Sequence, residues 1–171
     1  MSNKQLNLSK FSTTYQVSYL KESNIQEIYD LLTNNTTFFK HYPCPCNHQT
    51  ILNDLSKLPP HTTMNDKYYV GYYKDNKLIA ILDLITNYPN NTYCFIGLFM
   101  IDLKLQGKGI GTNIINDLST YLKQVGYSYI KLAIATTNTQ ANAFWKSLNF
   151  IPTGIELKDE YATIAIADKA L

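Results

Sequence analysis

Arginine is missing from the sequence: all fifteen cationic side chains are Lys. Without a guanidinium there is no forked, two-bond clamp for a phosphate or carboxylate, so an anion must be met by backbone N–H groups or by Lys. Charge of either sign is scarce. Asp, Glu and Lys make up 16% of the 171 residues, against about 25% in ordinary globular domains. The net charge of +2 lacks the basic excess of a nucleic-acid binder, so no nucleic-acid partner is expected. Cysteine is limited to three residues, an odd count that gives no disulfide framework. No run of eighteen apolar residues exists, and the first ten residues (MSNKQLNLSK) are polar rather than a signal-like apolar stretch. The expectation is a chain with no membrane partner, in the reducing cytoplasm.

What is present is enough apolar material for one core. Hydrophobic residues reach 45%, fourteen Tyr help to cover the surface, and the length suits a single domain over residues 1–171. The pattern alternates between strand and helix periods. Tyr15 to Leu20 reads as a strand. Ser23 is placed to cap a helix with Ile25, Ile28, Leu31 and Leu32 on one face, ended by Asn34-Asn35. Phe38 to Asn47 reads as a loop, and Thr50 to Leu58 as a short helix stopped by Pro59-Pro60. Lys67 to Tyr73, Leu78 to Ile85 and Thr92 to Ile101 form a three-strand antiparallel meander. Then Ile110, Ile114, Ile115, Leu118, Tyr121, Leu122 and Val125 make a helical stripe closed by Gly126. A strand from Tyr129 to Ile134, a helix from Thr139 to Leu148, and strands near Phe150 and from Tyr161 to Ala167 complete a mixed α/β chain.

Three of the seven glycines fall within five positions, in Gln106-Gly107-Lys108-Gly109-Ile110-Gly111-Thr112, between a strand and a helix. Such a turn lets a ligand approach the backbone, and it opens onto the free N–H groups and positive dipole end of the helix. A phosphate fits those donors. The spacing is neither that of a P-loop, because Lys108 lies between glycines, nor Gly-x-Gly-x-x-Gly, because the glycines are evenly spaced. A glycine turn with no ligand is the bland alternative.

Gln106-x-x-Gly109-x-Gly111 resembles the acetyl-CoA signature of the GCN5-related N-acetyltransferase (GNAT) superfamily. Asn138-x-x-Ala141-x-x-Phe144-Trp145-x-x-x-Asn149-Phe150 resembles that superfamily's downstream segment, in the right order and at the right separation. The likeness is sharp over Tyr93 to Phe150 and only topological before that. It implies a mostly antiparallel mixed sheet of about seven strands flanked by about four helices. It also implies an acetyl-CoA co-substrate, no metal, and direct attack by the primary amine of a small molecule or peptide within a ternary complex. By that likeness the pyrophosphate belongs on Gly107, Lys108, Gly109, Ile110, Gly111 and Thr112, with Gln106 beside them. The pantetheine arm belongs along Phe99, Met100 and Ile101, with Asn138 and Trp145 alongside. The Met100 N–H is the donor expected to polarise the thioester, a role worth roughly 3–4 kcal/mol in measured cases.

Two departures matter for mechanism. The proton-donating Tyr that the family often carries seven residues after its Asn is Trp145 here, and indole N–H does not ionise usefully. Eleven residues before the Gln, where some relatives hold a Glu base, stands Phe95. Asp83, an acid within an apolar strand, is then the candidate base or else an outward-facing strand residue. Tyr88, in the loop before the fourth strand, is the candidate acid or acceptor-lining residue, or else a turn residue. Met100, Asp83 and Tyr88 thus form the catalytic set. His41-x-x-Cys44-x-Cys46-x-His48 offers four metal-ligand types, but Cys-x-Cys split by Pro is poor zinc geometry and a plain loop is expected. A non-catalytic acyl-CoA sensor is the rival functional class. Exposed terminal strands would allow a homodimer.

Overall fold

The computed structural model describes residues 5–171; Met1 to Lys4 of the polar opening stretch lie outside the described residues. Among the described residues seven strands form one sheet in the order β1-β2-β3-β4-β5-β7-β6. They are β1 (Gln16–Tyr19), β2 (Lys67–Lys74), β3 (Lys77–Thr86), β4 (Tyr93–Ile101), β5 (Tyr129–Ala135), β6 (Ile151–Lys158) and β7 (Thr163–Ala170). All neighbours are antiparallel except β4 and β5. Among the described residues there are five α-helices, α1 (Ile25–Thr33), α2 (Thr36–His41), α3 (His48–Ser56), α4 (Ile110–Gln124) and α5 (Thr139–Ser147).

Strand alternation sends side chains to two apolar layers. Tyr68, Val70, Tyr72, Leu82, Leu84, Cys94 and Ile96 pack against Ile114, Ile115, Leu118 and Leu122 of α4 and Trp145 and Leu148 of α5. Tyr69, Ile81 and Met100 pack on the other face against Ile28, Leu31 and Leu32 of α1 and Ile51 of α3. The β2–β3 hairpin turns tightly at Asp75 and Asn76, both at positive φ as such a turn demands. At the far end of the sheet every residue of β6 is exposed, with Ile151, Ile155 and Leu157 the largest apolar groups.

Two elements differ from the sequence reading. Asn24, not Ser23, precedes α1, because the Asn24 side chain already accepts from the Lys21 N–H in a 3-10 turn that leads into the helix. The stretch read as loop from Phe38 begins inside α2, which brings the helix count to five rather than four. Six residues are too few to carry a periodic signal. What holds them helical is tertiary: Phe38 and Phe39 lean on the α1–α3 layer, edge to face 5.1 Å apart.

Candidate active site

β4 and β5 pair over only four positions, from Tyr93↔Tyr129 to Ile96↔Leu132, and beyond them the strands part. A bulge marks the parting. Asp83 pairs with Leu98 and Leu84 with Ile96, so Gly97 is the extra residue on β4. A Cβ on Gly97 would lie 3.1 Å from the Asp83 Oδ2, which makes glycine the residue that lets the carboxylate close under the bulge.

Two adjoining cavities fill the gap. One, of 380 Å³, runs from Gly107, Gly109, Ile110, Gly111 and Thr112 to Phe99, Met100 and Ile101. The other, of 210 Å³, lies between Ile96–Phe99 and Leu132–Ala135. Phe38, Phe99, Asn138, Ala141 and Trp145 line both, so the cleft is continuous. Above it, the Tyr42 hydroxyl donates to the Asp159 Oδ2 at 2.5 Å and the His41 Nδ1 lies 3.0 Å from the Thr137 Oγ1. These bonds join the α2 segment to the far wall of the cleft.

Gly109 caps α4 at φ 78°, in the left-handed region, and no side chain caps the first turn. The N–H groups of that turn are therefore unclaimed by any capping side chain, at the positive end of a fifteen-residue helix. Nothing lies within 4 Å of where a Cβ would sit on Gly107 or Gly109, so the backbone is open to a ligand. Lys108 is not among the cleft-lining residues. Gln106 is a strut: its Nε2 donates to the Asn35 Oδ1 at 2.6 Å and to the Ile101 carbonyl at 3.1 Å. Asn35, 3% exposed, also donates to the Leu31 and Ile101 carbonyls, tying α1 to the end of β4. In the sequence Asn35 reads only as a helix stop, and no local signal marks it as a wall of the site.

The Asn138 Oδ1 caps α5 through the Ala141 N–H at 3.0 Å, which leaves its Nδ2 as the donor the side chain can offer the cleft. Trp145 is buried among Phe99, Phe144 and Phe150 with ring centroids 5.8, 4.9 and 5.0 Å away, a packing role that fits its lack of ionisation.

Met100 needs a correction. The Asp102 N–H donates to the Ile79 carbonyl at 2.9 Å, and β3 and β4 stay in register through Ile81↔Met100. N–H groups alternate sides along a strand, so the Met100 N–H points to β3. Those of Phe99 and Ile101 face the open edge. Tyr88 does not line the cleft: it stands edge-on to Phe95 at 5.6 Å, in the β3–β4 connection. Asp83 also lines neither cavity, lying behind Gly97, and it is neither solvated nor alone. Lys67, with its side chain 1% exposed, places Nζ 2.9 Å from both carboxylate oxygens. Burial pushes the Asp83 carboxyl above its ordinary pKa, while Lys67 opposes the rise. His41 and His48 have separate partners, Thr137 and the Tyr29 ring. Among the described residues no group of three or more His, Cys, Asp or Glu is placed to hold a metal ion. Nor is any helix there long and apolar enough to cross a membrane.

A glycine turn feeding a helix N-terminus, beside a bulged strand that splays from its parallel neighbour, defines an acyl-CoA-type N-acyltransferase fold. The sequence profile of the Acetyltransferase (GNAT) family matches residues 25–150, and the chain belongs to that family. Solved structures agree in fold. An acetyltransferase from Thermus thermophilus superposes with a TM-score of 0.74 at 16% identity, over 92% of this chain and 97% of that one. An acetyl transferase from Salmonella typhimurium that modifies the N-terminal serine of ribosomal protein L7/L12 gives 0.72 at 15%, over 94% and 97%. The PaiA N-acetyltransferase from Thermoplasma acidophilum, in complex with coenzyme A, gives 0.69 at 13%, over 93% and 100%. Among curated protein sequences none matches the chain.

Proposed function

We propose that the chain is one cytoplasmic N-acetyltransferase domain that takes acetyl-CoA as donor and a primary amine of a small molecule or peptide as acceptor, both bound at once. The observation that carries this reading is the continuous cleft from the uncapped α4 N-terminus to the free edge of β4. The diphosphate would rest on the first-turn N–H groups, which supply the anion binding for which the chain has no guanidinium and the cleft lining no Lys. The pantetheine arm would run along Phe99 and Ile101, whose main-chain groups lack a strand partner on that side.

The Phe99 N–H, rather than that of Met100, is assigned to the thioester oxygen, where a fixed donor stabilises the negative charge that develops. The acceptor must lose a proton before attack, since a free ammonium has a pKa near ~10. Asp83 is assigned as the base, because burial raises its affinity for a proton and it sits under the bulge directly across from Leu98, against Gly97, which lines the 210 Å³ cavity. The amine nitrogen gives its proton to Asp83 and bonds to the carbonyl carbon. As the carbon–sulfur bond breaks, the nitrogen sheds its second proton, which water carries to the departing thiolate, there being no Tyr at position 145.

Calorimetric titration with CoA, followed by thiol release from acetyl-CoA over a panel of amines, tests the reading. CoA binding with amine-dependent release is expected; binding without release under every amine would make the chain a sensor.

A further inference from the structure

Under α1 and α3 the sheet carries polar groups that acetyl transfer alone does not explain. Tyr69 and Asp83 stand directly opposite each other on β2 and β3. Tyr69 is 4% exposed, and its hydroxyl has no hydrogen-bond partner. From above, α3 brings Asp54 to the same place: Ile51 packs with Tyr69, Ile81 and Met100, and a residue three positions on shares its helix face. Asp54 is half-buried and makes no hydrogen bond or ion pair among the described residues. Burial pushes its carboxyl above the ordinary value, against the opposing pull of Lys57 and Lys67. The Tyr69 hydroxyl is raised by burial and then by Asp83, Asp54 and Cys46, so these groups share one neighbourhood.

The chemistry of the missing occupant follows. A buried hydroxyl and a half-buried carboxylate, each without a protein partner, are both satisfied by a donor that carries positive charge. An anion would face two carboxylates, and the Lys67 ammonium is already committed to Asp83. The reacting nitrogen gives up its charge beside Asp83 before it attacks, so it cannot also stay charged at Asp54 and the Tyr69 hydroxyl while the bond forms. The cation is therefore a second nitrogen on the same acceptor.

We propose that Asp54 and the Tyr69 hydroxyl anchor a second, protonated nitrogen of the acceptor, so that the substrate is a small diamine whose other nitrogen meets the thioester beside Asp83 and Gly97. This rests on the transferase reading and names its substrate class. β2 and β4 are two strand spacings apart, about 10 Å, which sets the separation of the two nitrogens to that of a chain of several carbons.

The test compares α,ω-diaminoalkanes of four to eight carbons with alkylamines of equal length. With the wild type, kcat/KM for the best diamine exceeds that of its monoamine by about ten- to a hundredfold, the scale of a charged hydrogen-bonded anchor. In Asp54→Asn that ratio falls at least about tenfold, mainly through KM. Tyr69→Phe, which removes a hydroxyl with no partner, unfolds at no lower temperature than the wild type without ligand, yet loses the rise in Tm that diamine gives in the presence of CoA. Equal use of monoamines, or a diamine preference that survives Asp54→Asn, overturns the proposal while leaving the transferase reading intact. If CoA binds and no amine releases thiol, the transferase reading fails and the Tm shift decides alone: an Asp54-dependent shift with diamine keeps the site, and no shift removes it.

Discussion

A methyl group on Gly111 would lie 2.8 Å from the Ile101 Cδ1 and 3.0 Å from the Phe144 ring, whereas on Gly109 it would touch nothing and meet only the φ of 78°. The two glycines thus serve different ends. Gly111→Ala overpacks the joint between α4, β4 and α5 and is expected to cost about 1–3 kcal/mol in urea unfolding. Gly109→Ala costs about 1–2 kcal/mol in left-handed backbone strain and weakens CoA in calorimetric titration by moving the first-turn N–H groups. Acid sensitivity also belongs to single residues. Burial alone would raise the Asp66 carboxyl, but hydrogen bonds from the Asn87 Nδ2 at 2.8 Å, the Thr63 N–H at 2.9 Å, the Thr63 hydroxyl at 3.0 Å and the Thr86 hydroxyl hold it below its ordinary value. The folded state therefore binds that proton less readily than the unfolded chain. Its stabilising share is complete above the unfolded value, about 3.9, and is lost as pH falls through the lower folded value. Urea unfolding at steps from pH 5 to pH 2 should show a steeper loss for the wild type than for Asp66→Asn.

Elements differ in how far the sequence betrays them. α4 was legible because a fifteen-residue stripe of Ile and Leu has one period and one burial face, and the β2–β3–β4 meander because turn residues separate alternating runs. α2 was not, since its six residues are held by Phe38 and Phe39 on a layer that joins α1 and α3 to strand residues thirty or more positions away, such as Tyr69, Ile81 and Met100, which no local pattern records. The glycine turn is legible as the entry to α4, and Asn138 as the residue that opens α5, because each motif lies at the start of one helix. The backbone donor was misread by one position, because strand parity depends on which carbonyl Asp102 meets across the hairpin. The segment after α2 yields a prediction of its own. Tyr42 reaches Asp159 in the β6–β7 turn, closing the cleft over the 210 Å³ cavity, and Asp159 also accepts from the Tyr161 and Ala162 N–H groups. In Tyr42→Phe that closure is lost while the glycine turn is untouched. KM for the acceptor should rise several-fold, with CoA affinity in calorimetry within about twofold of the wild type, as expected for a contact that shapes only the acceptor end.

Across the molecule the cleft is a product of elements far apart in sequence: Asn35 and Phe38 after α1, Phe99 to Ile101 of β4, the turn before α4, and Asn138 to Trp145 of α5. None of these walls exists in the unfolded chain, so a ligand of the cleft binds only the folded state and must raise its stability by mass action. At a concentration one hundred times its Kd the gain is about 2.7 kcal/mol, which for a chain of this length corresponds to a rise in Tm of roughly 5–10 °C. Which part of CoA delivers that gain separates the anion-binding role of the α4 N-terminus from mere filling of the apolar gap between β4 and β5. Pantetheine, which carries no diphosphate, should raise Tm by much less than CoA at equal concentration. Gly109→Ala should shrink the CoA shift while leaving the pantetheine shift near its wild-type size, because the strained position lies at the helix end and not along β4. Equal shifts from the two ligands in the wild type would mean that the uncapped N–H groups bind no phosphate and that the glycines serve only the turn.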